Sequence, residues 1–518
     1  MNDSVIIIGG GMGGLFTGAL LARNGYRVTV LEKNAMIGGG LQTFLRDGEQ
    51  FETGMHMLGG MRQGASIFRI CHYLGIMDRL KLRATDPDCM DSLLYLSENE
   101  RYAIPCGREA FTAYFAERFP REATSIRRYV DALYQLSTEV GMFYLREEER
   151  SIFAHSEAFL QPADEFIAHY IQDPSLRDIL SYMNPMYGGV AHHTPAYIHA
   201  LVNVLYINGE DRFVEGSSQL AEALADVIRN HQGQVLTKAQ VRTLACEERM
   251  IRYAETTQGE RYSADHYISA IHPCSLLSCL DPAALPRAYR QRLEEIPNSY
   301  SAFTVYLKLK PDSFPYLNHT GYCQTAHGMA WELGRYDDQW PRGLMYMTPP
   351  VSQQGPFSRK MIITSPMPFE AVRAWEGTRT GRRGADYENW KRQQADRMLD
   401  RMEEIFPNFR EKIESLYTSS PLTIRDYYGV KEGSMYGFRK DAQNIALSQV
   451  PIVTKIRNLL LTGQNINLHG ICGVPLTAVN TAEVLMGTHV LLRKINAKYE
   501  ADFPPDRTIP PCGPPSIL

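Results

Sequence analysis

Ser4-Val-Ile-Ile-Ile8 is a short unbroken apolar run, the pattern of a strand buried on both faces. Gly9-Gly-Gly-Met-Gly-Gly14 follows, and Leu15 to Asn24 then sets Leu15, Ala19 and Ala22 on one helical face. Gly25 ends that helix, and Arg27-Val-Thr-Val-Leu-Glu32 predicts a second strand closing on an acid. Residues 61 to about 205 alternate helical patterns with short loops. These are Phe68 to Leu74, Phe111 to Arg118, Ser125 to Phe143, Pro162 to Ile171 and Ala196 to Ile207. A further helix carries Leu220, Leu224, Val227 and Ile228 on one face, before strands at Gln234–Leu236 and Val241–Leu244. Ser301 to Lys310 alternates, with Phe303, Val305, Leu307 and Leu309 on one side. With Leu344 to Thr348 and Met361 to Ser365 it predicts an antiparallel sheet, one face solvated or covered. Tyr387 to Phe406 is a long amphipathic helix ended by Pro407. Leu459-Leu-Leu-Thr-Gly463 reads as a buried strand entering a glycine turn. A helix is expected from about Thr477 to Ile495, with Pro475 tolerated near its start.

At 518 residues the chain can bury a large core across two intertwined domains. Hydrophobic residues at 44% and charged residues at 22% are ordinary for a soluble globular protein, and a net charge of −4 gives no reason to expect nucleic acid. Nine scattered cysteines form no CxxC pair or zinc spacing, which suits a reducing, cytoplasmic compartment and no metal site. Val5 to Ala22 is no signal-peptide core. Asp3 stands where basic residues belong, and glycines interrupt the apolar run. No stretch supplies about 18 uninterrupted apolar residues, so no transmembrane helix is expected.

The first 32 residues carry the chemistry. A strand, a glycine turn, a helix and a strand ending in an acid is the order of a dinucleotide site. Gly9 permits the tight turn, Gly11 lets backbone approach a pyrophosphate, and Gly14 lets helix and strand pack closely. Met12 and Gly13 open the helix, whose free N–H groups and partial positive charge suit phosphates. Glu32 is placed to accept from ribose 2′- and 3′-hydroxyls, with Lys33 beside it. A second glycine turn, Gly38-Gly39-Gly40, comes six residues later, then Thr43-Phe44 and Phe51-Glu-Thr-Gly54-Met-His56-Met-Leu-Gly59-Gly60. A nicotinamide dehydrogenase has no need of that turn.

These segments resemble the FAD flavoproteins of the phytoene desaturase and carotenoid isomerase group, and within it the retinol saturases. Thr53-Gly54-Met55-His56, the glycine pair after it, and the run from Tyr197 to Val241 carry the likeness, as does the stretch 421–487. The resemblance implies an α/β fold of the two-dinucleotide-binding-domain type. Its Rossmann-like FAD-binding domain would be discontinuous (1–60, 206–295 and 421–500). A helical cap (61–205) and a mixed or antiparallel substrate sheet (296–420) would interleave with it, leaving a Pro-rich tail (501–518). It further implies that Val241 backbone touches the adenine. Gly463, Asn465, Gly473 and Val474 would contact the ribityl chain and flavin, with the following helix N-terminus at the pyrimidine edge. Two departures stand out. Glu215-Gly216 replaces the family's paired glycines, and Asn465 replaces its usual Asp.

No Ser/His/Asp grouping, paired-carboxylate motif or metal constellation competes, so the hard chemistry falls to the cofactor. His56, Tyr436 and His469 are the catalytic candidates nearest the flavin, with His56 or Tyr436 as the proton source, each also readable as structural. His192, His193 and His199 read as helix or loop residues. The resemblance implies reduction of a carbon–carbon double bond in a long apolar polyene, isoprenoid or lipid. Desaturation or cis–trans isomerisation comes next, then amine or protoporphyrinogen oxidation. A prenyl-lipid binder of the Rab GDP-dissociation-inhibitor kind is the non-enzymatic alternative, and the intact glycines and Glu32 favour the enzyme. The aromatic and Met-rich cap and the 301–365 sheet are expected to wall a tunnel ending at the flavin. Its mouth would rest peripherally on a membrane. No second nucleotide motif indicates a docked NADPH, and the sequence names no electron donor or acceptor.

Overall fold

The computed structural model describes residues 3–54, 56–147 and 154–504. Its centre is a five-stranded, wholly parallel sheet in the order Gln234–Leu236, Arg27–Leu31, Ser4–Ile8, His266–Ser269 and Leu459–Leu461. Val5, Ile6, Ile7 and Ile8 are all buried, as an apolar run without alternation requires. The helix Met12–Arg23 packs on one side against the helices Ser218–Asn230 and Gly470–Met486. Buried Thr17 hydroxyl lies 3.0 Å from that of Thr462, tying the first helix to the last strand of the sheet.

A second sheet of seven strands runs Ile413–Ser419, Ser301–Leu309, Lys360–Met367, Gly343–Met347, Thr320–Gln324, Asp91–Tyr95 and Glu100–Ile104. Neighbours are antiparallel except Thr320–Gln324 with Asp91–Tyr95, which are parallel. The alternating face Phe303, Val305, Leu307 and Leu309 packs under the helix Ala385–Ile405, against Met398, Leu399 and Met402. Each such side chain contributes about 1.5–3 kcal/mol by leaving water. The opposite face is not solvated: Ala302, Thr304 and Tyr306 are buried too, and the first two face a cavity.

Three sequence expectations change. Residues 61–205 are not purely helical. Asp91–Tyr95 and Glu100–Ile104 form a hairpin on the second sheet, and Leu82–Ala84 pairs with Glu210–Phe213. Asp91 and Ser92 begin the first of these strands buried, so no polar–apolar alternation announces it. The helix expected over Thr477 to Ile495 is two helices, Gly470–Met486 and Val490–Asp502. Gly487 (φ 101°) and His489 (φ 61°) hold left-handed backbone between them and break the run. Val490–Asp502 also occupies the first two positions of the expected tail, and residues 505–518 lie outside the described residues. The strand expected at Val241 runs over Val241–Glu247 and heads an antiparallel sheet with Met250–Thr256 and Arg261–Tyr262. Among the described residues, no helix is long and apolar enough to cross a membrane.

The tightest packing in the parallel layer is at Gly14, where a methyl group would collide with the Gly9 carbonyl oxygen and stand 3.2 Å from Ile7. Gly14→Ala is expected to destabilise the cofactor-free protein by about 1–3 kcal/mol through overpacking. Chemical denaturation checks this, and an unchanged midpoint would contradict the packing described.

Candidate active site

The first glycine turn is shaped by backbone contacts. Gly9 (φ 103°) donates to the Leu31 carbonyl at 2.9 Å, linking the turn to the neighbouring strand. A methyl group on Gly10 would stand 2.9 Å from Glu32 Cβ, so this extra glycine makes room for the acid. Gly11 caps the helix Met12–Arg23 without a side-chain hydrogen bond, and no acid occupies the first turn. Its own backbone is extended, and a Cβ there would meet protein only at Gly39 Cα, 4.0 Å away. The space beside Gly11 is therefore open to a ligand, and free helical N–H groups face it, as a pyrophosphate needs. The second glycine turn is knitted onto the first, Gly38 donating to the Gly10 carbonyl at 2.7 Å.

Glu32 is buried and holds both turns in register. One carboxylate oxygen accepts from Gly10 N–H at 2.7 Å and the other from Asn34 N–H at 2.8 Å. Each oxygen keeps a lone pair for a ligand hydroxyl. Lys33 donates its ammonium to the Asp426 carbonyl at 2.7 Å, and burial pulls its pKa down. The Glu215 departure keeps the turn it would need a glycine for: Glu215 is left-handed (φ 64°), and its carboxylate accepts from Ser352 N–H at 2.8 Å.

At the C-terminal end, Gly463 (φ 95°) brings its backbone against the first helix, where a methyl group on Gly13 would stand 2.9 Å from Gly463 Cα. Asn465 is buried and accepts from Phe438 N–H at 3.0 Å, leaving its amide N–H groups for a ligand. The helix Gly470–Met486 also starts without a side-chain cap or an acid in its first turn. Two uncapped helix N-termini thus converge on one cavity of about 590 Å³, within the range of small-molecule sites.

That cavity is lined by Gly9, Gly11, Met12, Gly13, Glu32, Lys33, Gly39, Gly40, Val241, Gly463, Asn465, Val474, His56 and Tyr436 among the residues singled out from sequence. Gly14, Gly38, Gly473 and His469 do not line it; His469 and Gly473 line a smaller cavity instead. Gly473 is there for packing, since a Cβ would collide with Leu468. His56 Nδ1 lies 3.3 Å from Glu52 carboxylate. Tyr436 donates its hydroxyl to the Pro185 carbonyl at 2.8 Å, and burial raises its pKa. The His469 ring centroid is 4.9 Å from that of Tyr436. Burial, reinforced by Lys440, lowers His469 to about 4, so the ring is neutral at physiological pH. His199 is a core residue between Tyr129 and Tyr187 hydroxyls, at 2.7 and 3.0 Å.

Beyond the glycine turns the cavity continues past Tyr182, Met186 and Tyr206 to the second sheet, at Thr304, Tyr322, Gln324, Leu344, Met345 and Thr364. Among the described lining residues Glu32 is the only carboxylate, and it sits at the opposite end. Sequence reasoning did not single out Tyr322, Gln324 or Met57 here, nor the buried charges Asp91, Glu210 and Arg212 next to them. Glu210-Asp-Arg212 follows Asn208-Gly209 and reads as a solvated turn; only the strand pairing that buries it shows otherwise.

A family described as flavin containing amine oxidoreductase matches residues 12–485. Human all-trans-retinol 13,14-reductase is 26% identical over 520 residues, spanning 90% of this chain and 83% of its own. Prolycopene isomerase 2, chloroplastic, from an Oncidium hybrid cultivar is 24% identical, spanning 83% of this chain and 74% of its own. Putrescine oxidase bound to putrescine shares the fold at a TM-score of 0.63 and 17% identity, covering 94% of this chain and 99% of that chain. With nearly its whole length matched and two helix N-termini turned to one dinucleotide cradle, this chain belongs to the flavin-containing amine oxidoreductase family and is an oxidoreductase whose cofactor is FAD.

Proposed function

We propose that the enzyme reduces a carbon–carbon double bond of a long apolar polyene, isoprenoid or lipid, as all-trans-retinol 13,14-reductase does by its name. The observation that carries this is the substrate end of the cavity. Aromatic, Met, Leu and Thr side chains line it, with no carboxylate among the described residues there. An ammonium substrate would be left unpaired in that surrounding, at a cost burial does not return. A hydrocarbon chain gains about 25 cal/mol per Å² removed from water. The named relatives both act, by name, on conjugated molecules. Cis–trans isomerisation is the second reading, favoured by the isomerase relative.

In this reading FAD supplies the two-electron chemistry when bound. The chain's own residues bind and orient it. Gly9, Gly11, Met12 and Gly13 would cradle the pyrophosphate, and Glu32 would accept from the ribose. Val241 would touch the adenine, while Gly463, Asn465 and Val474 would border the flavin. The N-terminus of Gly470–Met486 would stabilise negative charge there. The buried walls exclude water from the reacting bond.

Gly11→Val adds methyl groups that meet no protein but fill the space the pyrophosphate needs. The variant is expected to fold and to lose its flavin absorption; retention of stoichiometric FAD would show the cradle to be misassigned. Glu32→Ala removes two charge-assisted hydrogen bonds to ligand, together about 1.5–3 kcal/mol. That corresponds to FAD binding weakened roughly ten- to a hundredfold, read by fluorescence titration of the apoprotein. For the reaction, chemically reduced holoenzyme mixed anaerobically with all-trans-retinol should yield a product heavier by two hydrogens in mass spectrometry. An isomer of unchanged mass would replace the first reading by the second.

A further inference from the structure

Behind the substrate end of the cavity lies a buried charge cluster that the cofactor site does not use. Asp91 and Glu210 are 0% and 1% exposed, and Arg212 is 1% exposed. Both carboxyl groups lie in the field of one guanidinium, that of Arg212. That guanidinium is also divided among other partners. It donates to the Thr320 hydroxyl at 2.7 Å and to the Leu317 carbonyl at 3.2 Å, and approaches Glu210 only through Nε at 3.5 Å. Thr320 in turn lies 3.2 Å from the other side of Glu210 Oε1. One oxygen of each acid, Asp91 Oδ1 and Glu210 Oε2, has no hydrogen-bond partner. A dry site with two negative charges and one positive charge relieves its excess by holding a proton.

The cluster meets the cavity wall at Tyr182, Tyr206, Tyr322 and Met57. Tyr182 donates its hydroxyl to Asp91 Oδ2 at 2.7 Å and also lines the cavity wall, with its ring 5.3 Å from that of Tyr322. The groups facing the two acids from each packed element are Arg212, Tyr182, Thr320, Tyr322 and Tyr206, and the half-buried His319 faces Arg212. None of these adds a second full positive charge, because burial, helped by Arg212, holds the His319 pKa down.

We propose that Asp91 and Glu210 share one proton beside Arg212, and that Tyr182 passes it into the cavity to complete reduction of a substrate double bond. The transfer rests on the reduction reading above. When bound and reduced, FAD would supply a hydride to one alkene carbon, leaving the π electron pair on the neighbouring carbon. That carbon takes the phenolic proton of Tyr182, and the Tyr182 oxygen takes the carboxyl proton of Asp91. Both acids are then ionised beside Arg212 until water returns a proton. Burial raises both carboxyl pKa values far above the usual range, and for Glu210 the neighbouring Asp91 adds to the effect. Tyr182 is the proton donor to substrate; Asp91 and Glu210 act through it.

Infrared difference spectra of the FAD-loaded full chain between neutral and alkaline pH read the carbonyl stretch of a buried protonated carboxyl group. The expected band is present in the wild type and absent from both Asp91→Asn and Glu210→Gln, since each leaves a single acid against Arg212. Tyr182→Phe keeps the band at a shifted frequency, because its bond to Asp91 is gone. With unchanged FAD content, this variant should slow oxidation of dithionite-reduced flavin by all-trans-retinol about 100-fold. No wild-type band, a band surviving in both acid variants, or a wild-type rate in Tyr182→Phe overturns the proposal. A wild-type flavin that all-trans-retinol does not oxidise, with the band as expected, overturns the reduction reading and the transfer step while leaving the shared proton standing.

Discussion

The structure depends on backbone meeting backbone where Gly13 and Gly463 touch. These residues belong to opposite ends of the chain, and a single Cβ at Gly13 would push the C-terminal turn away. Their contact brings the uncapped N-termini of Met12–Arg23 and Gly470–Met486 to the same cavity. Each helix start carries orphan N–H donors that need an acceptor. Neither start offers a side-chain cap, so an anionic ligand is the group that completes them. FAD bound at these two starts would complete them and add to stability by mass action.

From that junction the second sheet extends the cavity in a different chemical character. Its strand Ser301–Leu309 buries one face under Ala385–Ile405 and turns Ala302 and Thr304 to the cavity. A sheet buried on both faces can wall an apolar space without exposing ladder groups. The result is a site with one charged end, made of glycine backbone and Glu32, and one neutral end. On the proposed reading this polarity would suit phosphates and ribose at one end and a hydrocarbon at the other.

Much of this was legible in the sequence, and the reasons differ by element. The strand at Ser4–Ile8, the turn at Gly9–Gly14 and the strand closing on Glu32 are local in origin, so apolar run, glycines and acid announced them. The helix Ala196–Ile207 and the strand Gln234–Leu236 likewise follow from periodicity over a few residues. The hairpin at Asp91–Ile104 was not legible. Its first strand opens on Asp91 and Ser92, whose burial arises only from pairing with Thr320–Gln324, more than two hundred positions away. Glu210 and Arg212 hid for the same reason, because a charged run after a glycine reads as surface until its partners are known. His469 was singled out by its motif position, and its neutral ring stands 4.9 Å, centroid to centroid, from that of Tyr436.

Keeping Asp91, Glu210 and Arg212 buried beside an apolar cavity is costly in a low-dielectric setting. Tyr182 and Thr320 offset part of that cost by hydrogen bonding. On the proposed reading the neutral end of the cavity selects an apolar conjugated chain. Titrating the oxidised holoprotein with all-trans-retinol and, separately, with putrescine while following flavin absorption tests it most directly. The account predicts a saturable shift of the flavin bands with the polyene and none with the diamine. A shift with putrescine alone would contradict it.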